Sequence, residues 1–304
     1  MDYKFLIDTT ADKDMDKGFT LSFLFSKQFC VTPFFNALAK MRIPLDNCHL
    51  IIFDNTDKKP LGEMLYEVAL DLKDRFYSLR FYKSYRQGSQ QILVHSKKSN
   101  KVSKIPFIMA AYKDIVRMVT TNQFIHIEDD TICPPHTILR LLRDAEVYGS
   151  ESFISGVEPN RITMPFEKTR LGVHYFHVKK NTLLQRVSLS PKCQGVKKVD
   201  AAGHYCFITS KKTFRRGMFK MPVFRNNPFT VTFDGYHTYN LTRNNIPVYA
   251  DFNIKCFHIH PTPEKTVYTA PDQASSQLDC YIPEYDTWAI GIILNREIKE
   301  RPIF

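Results

Sequence analysis

Three consecutive acids, Glu128-Asp129-Asp130, stand where the short apolar run Phe124-Ile125-His126-Ile127 ends. Adjacent carboxylates repel one another unless something positive lies between them. Hard oxygen donors of this kind suit Mg2+ or Mn2+, above all where the ion also holds a substrate diphosphate. The same residues also fit an acidic helix N-terminus, with Asp130 or Thr131 capping a helix that Pro134-Pro135 opens. His258 and His260 are two apart, so on a strand they share a face. One imidazole and one carboxylate from different strand ends make a reasonable pair of divalent-metal ligands. His126, two before Glu128, reads as an interior histidine, whereas His174 and His177 fall in a basic stretch and read as surface. Seven cysteines, an odd number, are scattered and never spaced C-x-x-C. That usage points to reduced thiols in a cytoplasmic compartment and argues against a disulfide framework. No compact Cys/His cluster is visible in the sequence to form a zinc site.

The acids need a scaffold, and the periodicity supplies one. Phe19–Ser26, His49–Asn55, Ser78–Lys83 and Gln123–Asp130 read as strands. Between them, helical patterns run from Pro33 (with Thr32 as the expected cap), over Leu61 to Arg75, and over Ile105 to Thr121. Strand and helix in that order predict a mostly parallel sheet with crossover helices. Carboxylates at the C-terminal edge of such a sheet lie in the crevice where α/β folds bind ligands. Further on, a helix is expected over 137–148, strands over 151–157 and 199–210, a helix after Gly235, and a strand pair over 246–260. The stretch 159–198 is basic and turn-rich, and 285–298 is amphipathic. Residues 1–18 read as a polar leader and 261–304 as a C-terminal extension, with no internal repeat between them.

Bulk properties narrow the classes. A chain of 304 residues, 43% hydrophobic and 24% charged, has the composition of a packed globular protein and excludes disordered, collagen-like and coiled-coil chains. The apolar stretch Trp288 to Leu294 is far shorter than the ~18–20 residues of a spanning helix. The acidic, polar start lacks the apolar core of a secretory signal. The net charge of +11 is concentrated: 73–104 and 159–198 each hold nine basic residues against one acid. Two such segments are either solvated loops or a polyanion-binding surface.

The order of segments resembles the metal-dependent, nucleotide-sugar glycosyltransferases of the GT-A fold, in particular the family-2-like group, over about residues 19–260. The residues that carry the resemblance are FTLSFLF, IIFDN, FIHIEDDTICPP, VDAAGHYCFITSKKTF and NIKCFHIH. It implies an α/β domain with a nucleotide half at 19–130 and an acceptor half at 131–260. It further implies a Mn2+ or Mg2+ cofactor and a nucleotide-sugar donor, a UDP-sugar foremost. By that match Asp130 and His258 bind the metal, Glu128 and Asp129 meet the metal's waters or the ribose, and Asp54 meets the nucleotide base. Lys113, on the helix before the acids, corresponds to a donor-diphosphate contact. The family's usual Tyr-Asn after the first strand is absent. The catalytic-base position, an acid pair in the family, holds the single acid Asp234 in FDGYHTYNL; the residue also fits a helix N-cap. Asp200 is the runner-up base.

The two basic segments extend this to an acceptor expectation: a polyanion, with modified DNA ahead of a membrane-linked glycan, held by Lys179, Lys180, Lys197 and Lys198. Peripheral binding to an anionic membrane is the alternative use of the same charges. Two other readings compete. One is a non-catalytic nucleic-acid binder that stacks bases on RFYSLRFYKSYR (residues 75–86). The other is a phosphoryl or nucleotidyl transferase, disfavoured because neither GxxxxGK[ST] nor GxGxxG occurs.

Overall fold

The structure, a computed structural model, describes residues 5–26, 30–56, 59–84, 105–158, 171–179, 182–190, 192–218, 233–261 and 266–269. Its first half contains β1 (Phe5–Asp8), β2 (Phe19–Phe25), α1 (Val31–Leu38), β3 (Cys48–Asp54), α2 (Lys59–Leu72), β4 (Ser78–Lys83), α3 (Ile105–Met118) and β5 (Gln123–Glu128). There follow β6 (Thr131–Ile132), α4 (Thr137–Tyr148), β7 (Phe153–Val157), β8 (His174–Lys179), β9 (Thr182–Ser188), β10 (Val196–Val199) and β11 (Cys206–Ser210). The last elements are α5 (Lys211–Gly217), α6 (Phe233–Arg243), β12 (Val248–Lys255), β13 (Phe257–Pro261) and β14 (Thr266–Thr269).

Among the described residues, nine strands form the main sheet in the order β1-β4-β3-β2-β5-β11-β7-β12-β10. The β4-β3-β2-β5 block is parallel, β11 runs against both its neighbours, and β12 is again parallel to β7. With β1 and β10 antiparallel at the two edges, most strands point the same way, as the alternation of strands and helices predicts. The period of two in each strand feeds two cores. Leu50 and Ile52 of β3 pack with α1, α2 and α4 on one face; Ile51 and Phe53 pack with α3 on the other. α5 and α6 share that second face. Both faces are covered, which is why β3 reads as a nearly continuous apolar run and why even Thr20 and Ser22 of β2 are buried.

Several expectations need correction. The segment read as a leader holds β1, whose Phe5 and Ile7 pair with Tyr82 and Phe81 on β4. α1 starts after Cys30, not at a Thr32 cap, although Pro33 does fall in its first turn. The stretch 159–198, read as basic and turn-rich, contains the β8–β9 hairpin. His174 is buried with its Nδ1 3.1 Å from Ser188 Oγ, so it is no surface residue; His177 is exposed as expected. The 285–298 segment and Trp288 lie outside the described residues. Among the described residues no helix is long and apolar enough to cross a membrane.

Candidate functional site

Register puts the acids on one edge. β2 lies between β3 and β5, with Phe25 opposite Asp54 and Leu24 opposite Glu128. All three strands are parallel, so Asp54 and Glu128 both stand at their C-terminal ends. β7 points the same way and ends just before Glu158, a buried acid that sequence reasoning missed. The usable signal was the same one that marks Glu128: an acid directly after an apolar strand.

Beyond Glu128 the chain turns and enters β6, which pairs with β13 so that Thr131 faces His258. This short ladder closes a three-member cluster. His258 Nε2 lies 3.3 Å from Asp130 Oδ2 and its Nδ1 lies 3.7 Å from Glu158 Oε2. Thr131 Oγ1 donates to Glu158 Oε1 at 2.8 Å, which fixes that carboxylate. All three charged side chains are nearly inaccessible to water. Two buried carboxylates around one imidazole need positive charge, from a histidinium or from a cation. The donor set fits a hard divalent ion. Two ligands at ~2.1 Å and a right angle lie about 3 Å apart, close to the observed spacing of Asp130 and His258. Glu158, on the other ring nitrogen, takes the place of the carboxylate that commonly orients a metal-binding histidine.

The other acids of the motif have distinct partners. Asp129 Oδ2 accepts the Ser26 backbone N–H at 2.7 Å and the Ser26 hydroxyl at 3.2 Å, tying the end of β2 to the acid turn. Glu128 is half-buried and accepts from the Tyr112 hydroxyl at 3.3 Å. Burial first, then the charges of Glu128 and Asp234, hold the Tyr112 phenol well above its ordinary range. Tyr205 behaves alike: burial, then Glu158 and Asp234, raise it. The charge of Asp234 therefore reaches hydroxyls beside both Glu128 and Glu158. Asp234 itself is half-buried in the first turn of α6, one residue inside the helix. It is therefore not the N-cap.

The capping alternative for the acid triplet does not hold. α4 begins at Thr137 with His136 as its N-cap, six residues past Asp130. Asp54 is fully buried, its carboxylate receiving Lys83 Nζ at 2.6 Å and the Thr56 N–H at 2.9 Å. Burial raises its pKa, and Lys83 and Thr56 oppose that rise. A base contact by Asp54 therefore requires this pair to open. Lys113 is exposed on α3; the α3 group that reaches the acids is its neighbour Tyr112. Asp200 uses its carboxylate on the Phe176 N–H at 2.8 Å, fastening β8.

Lys197 and Lys198 are exposed on β10, the edge strand four places from β5, or ~19 Å at the ordinary strand spacing. Adjacent residues on a strand face opposite ways, so the two do not form one patch beside the acids. Lys180 and the side chain of Lys179 lie outside the described residues. The aromatics of 75–84 are committed elsewhere. Phe76 and Phe81 are core, Tyr82 packs on Phe53, and Tyr77 packs on His49, so these four rings are engaged within the fold; Tyr85 lies outside the described residues.

No family model and no curated protein sequence matches this chain. Among solved structures it is similar to a crystal structure of GalNAc-T7 with UDP, GalNAc and Mn2+, at a TM-score of 0.55 and 10% identity. The match covers 81% of this chain and 44% of the other, so the chain spans less than half the length of that protein. At this identity the likeness establishes the fold, a GT-A-type mixed α/β domain with a large central sheet.

Proposed function

We propose that the protein is a divalent-metal-dependent glycosyltransferase that moves a sugar from a nucleotide-sugar donor to an acceptor hydroxyl with inversion. The observation that carries this reading is the Asp130–His258 pair, 3.3 Å apart at the C-terminal edge of a GT-A-type sheet. Asp130 and His258 hold Mn2+ or Mg2+, with Glu158 orienting the imidazole. When bound, such an ion would supply Lewis-acid neutralisation of the leaving diphosphate. Glu128, steadied by Tyr112, faces the ion's waters or the ribose, and Asp129 holds the β2 end in place. Asp234 takes the proton from the acceptor hydroxyl as that oxygen attacks the anomeric carbon and the bond to the diphosphate breaks. UDP and Mn2+ in the GalNAc-T7 structure favour a UDP-sugar as donor.

The acceptor we assign is a polyanion, DNA in first place, because 73–104 and 159–198 concentrate the positive charge of the chain. The reading is tested by hydrolysis of a panel of UDP-, GDP- and CDP-sugars with Mn2+, which needs no acceptor. The expected result is metal-dependent hydrolysis of one nucleotide class, lost in Asp130→Ala. No hydrolysis, together with no thermal stabilisation by any sugar nucleotide plus Mn2+, overturns it.

A further inference from the structure

Cys133, Cys206 and Cys256 come from three separate parts of the chain, yet their sulfurs all lie within 4.8 Å of one another. Each is fully buried, and the Cys133 and Cys256 sulfurs are 3.6 Å apart. Two buried cysteines in contact are ordinary packing, since a free thiol behaves as a small apolar group. A closed triangle is different: it brings three soft donors to one point from three segments. We propose that this triangle is a thiolate site for a soft d10 cation, Zn2+ or Cu+, separate from the carboxylate–imidazole cluster.

Geometry and lining agree. Three thiolates at ~2.3 Å from one ion lie about 3.8–4.0 Å from each other, close to the 3.6 Å between the Cys133 and Cys256 sulfurs and inside the 4.8 Å that encloses all three. All three belong to the same apolar core cluster as Ile127, Ile138, Leu141, Ile154 and Ile254, a setting that suits a thiophilic cation better than a hard one. Binding replaces the thiol protons, which leave to solvent, so loading belongs to folding, before the core closes.

The placement gives the site its role. Cys133 directly follows β6, three residues past Asp130. Cys256 joins β12 to β13, two residues before His258, and its N–H donates to Val157 O at 2.9 Å. Cys206 opens β11 opposite Ile127, the residue before Glu128. One ion would pin the strand ends that carry Glu128, Asp130 and His258, whatever reaction those residues perform.

The test uses the full chain, expressed with zinc and copper supplied and purified without chelator, with metal counted per protein by mass spectrometry. About one Zn2+ or Cu+ per chain is expected, which also tells the two ions apart. It should survive in Asp130→Ala and in Cys193→Ser, whose thiol lies outside the triangle, and be lost in Cys206→Ser and Cys133→Ser. Refolding the wild-type chain with Cd2+ should produce a thiolate-to-metal charge-transfer absorption, a readout that does not depend on the serine variants folding. Wild-type protein with neither ion and no such absorption overturns the proposal. So does a Cys133–Cys256 disulfide found by peptide mapping of the untreated protein, or metal lost in Asp130→Ala and kept in Cys206→Ser.

Discussion

The Ile259 N–H donates to the Asp130 carbonyl at 2.8 Å, so the residue after His258 is stitched to the last acid of the triplet. Backbone pairing, and not only side-chain attraction, sets the distance between imidazole and carboxylate. The pair is therefore pre-positioned, and the proposed ion would demand little reorganisation on binding.

Removing either member should disable the ion site without unfolding the sheet. Asp130→Ala and His258→Ala should each abolish sugar-nucleotide hydrolysis. They should also remove the stabilisation that donor plus Mn2+ confers on the wild type, about 2.7 kcal/mol at a hundredfold excess over Kd. Thermal shift with and without Mn2+ measures both. Full stabilisation retained in Asp130→Ala would place the ion elsewhere.

Asp234→Asn keeps the shape and removes the proposed proton acceptor. Donor binding should stay within a few-fold of wild type while turnover falls ~10²–10⁴-fold. Titration calorimetry beside a steady-state transfer assay separates the two. Normal turnover would reduce Asp234 to a favourable charge at a helix end.

A second cluster predicts acid sensitivity. His126, His204 and His237 are fully or almost fully buried, His204 Nε2 lying 2.9 Å from His237 Nδ1 and His237 Nε2 2.8 Å from the Phe214 carbonyl. Burial lowers all three, His126 to about 3 and His237 to about 4. Above pH ~6.5 both folded and unfolded chains carry neutral imidazoles, and nothing is lost. Below it the unfolded chain takes up protons that the folded one refuses. Stability should then fall by up to about 1.4 kcal/mol per pH unit for each histidine, until the folded values are reached. Urea unfolding at pH 7, 6 and 5 reads the slope. His126→Phe, an aromatic replacement among the Tyr112, Phe124 and Phe207 rings, should make it shallower.

Gly203 and Gly172 flank the Tyr205 ring so closely that an added Cβ on either would overlap Tyr205 side-chain atoms. Gly203→Ala should cost ~1–3 kcal/mol as an overpacked core, seen as a lower Tm. An unchanged Tm would mean that the ring has room to move.

If phosphates are held at β10, Lys197→Glu with Lys198→Glu should flatten the salt dependence of duplex DNA binding, by ~0.9 in slope for each phosphate no longer neutralised. Donor hydrolysis should stay unchanged. No DNA binding at low salt, with binding to anionic liposomes instead, would move the acceptor to a membrane surface.

The parallel block was legible because β2, β3 and β5 are short apolar runs separated by helical periods, and a run that ends in Glu128 marks its own sheet edge. Asp130 and His258 could be paired only through the family resemblance, since their contact depends on β6, a strand of two residues with no periodicity to read. Glu158 carries the local signal of an acid after an apolar strand, but its partners, Thr131 and His258, are distant in sequence and give no local sign of the cluster. The thiol triangle was invisible for the same reason: ligand spacing along the chain is informative only where one hairpin or helix supplies two ligands, and here each sulfur comes from a different segment. Asp200, at the start of VDAAGHYC, accepts the Phe176 amide, a contact with β8 that its local sequence does not announce.

β1 has a practical corollary. Its Phe5 ring lies 5.2 Å from the Arg80 guanidinium and meets Tyr82 edge-on, and its backbone occupies the outer side of β4. A recombinant version cut to begin at Phe19 would keep every proposed active-site residue and still strip the sheet of its border. β4 would then show a bare row of amides and carbonyls to any other chain, the configuration from which edge-to-edge aggregation starts.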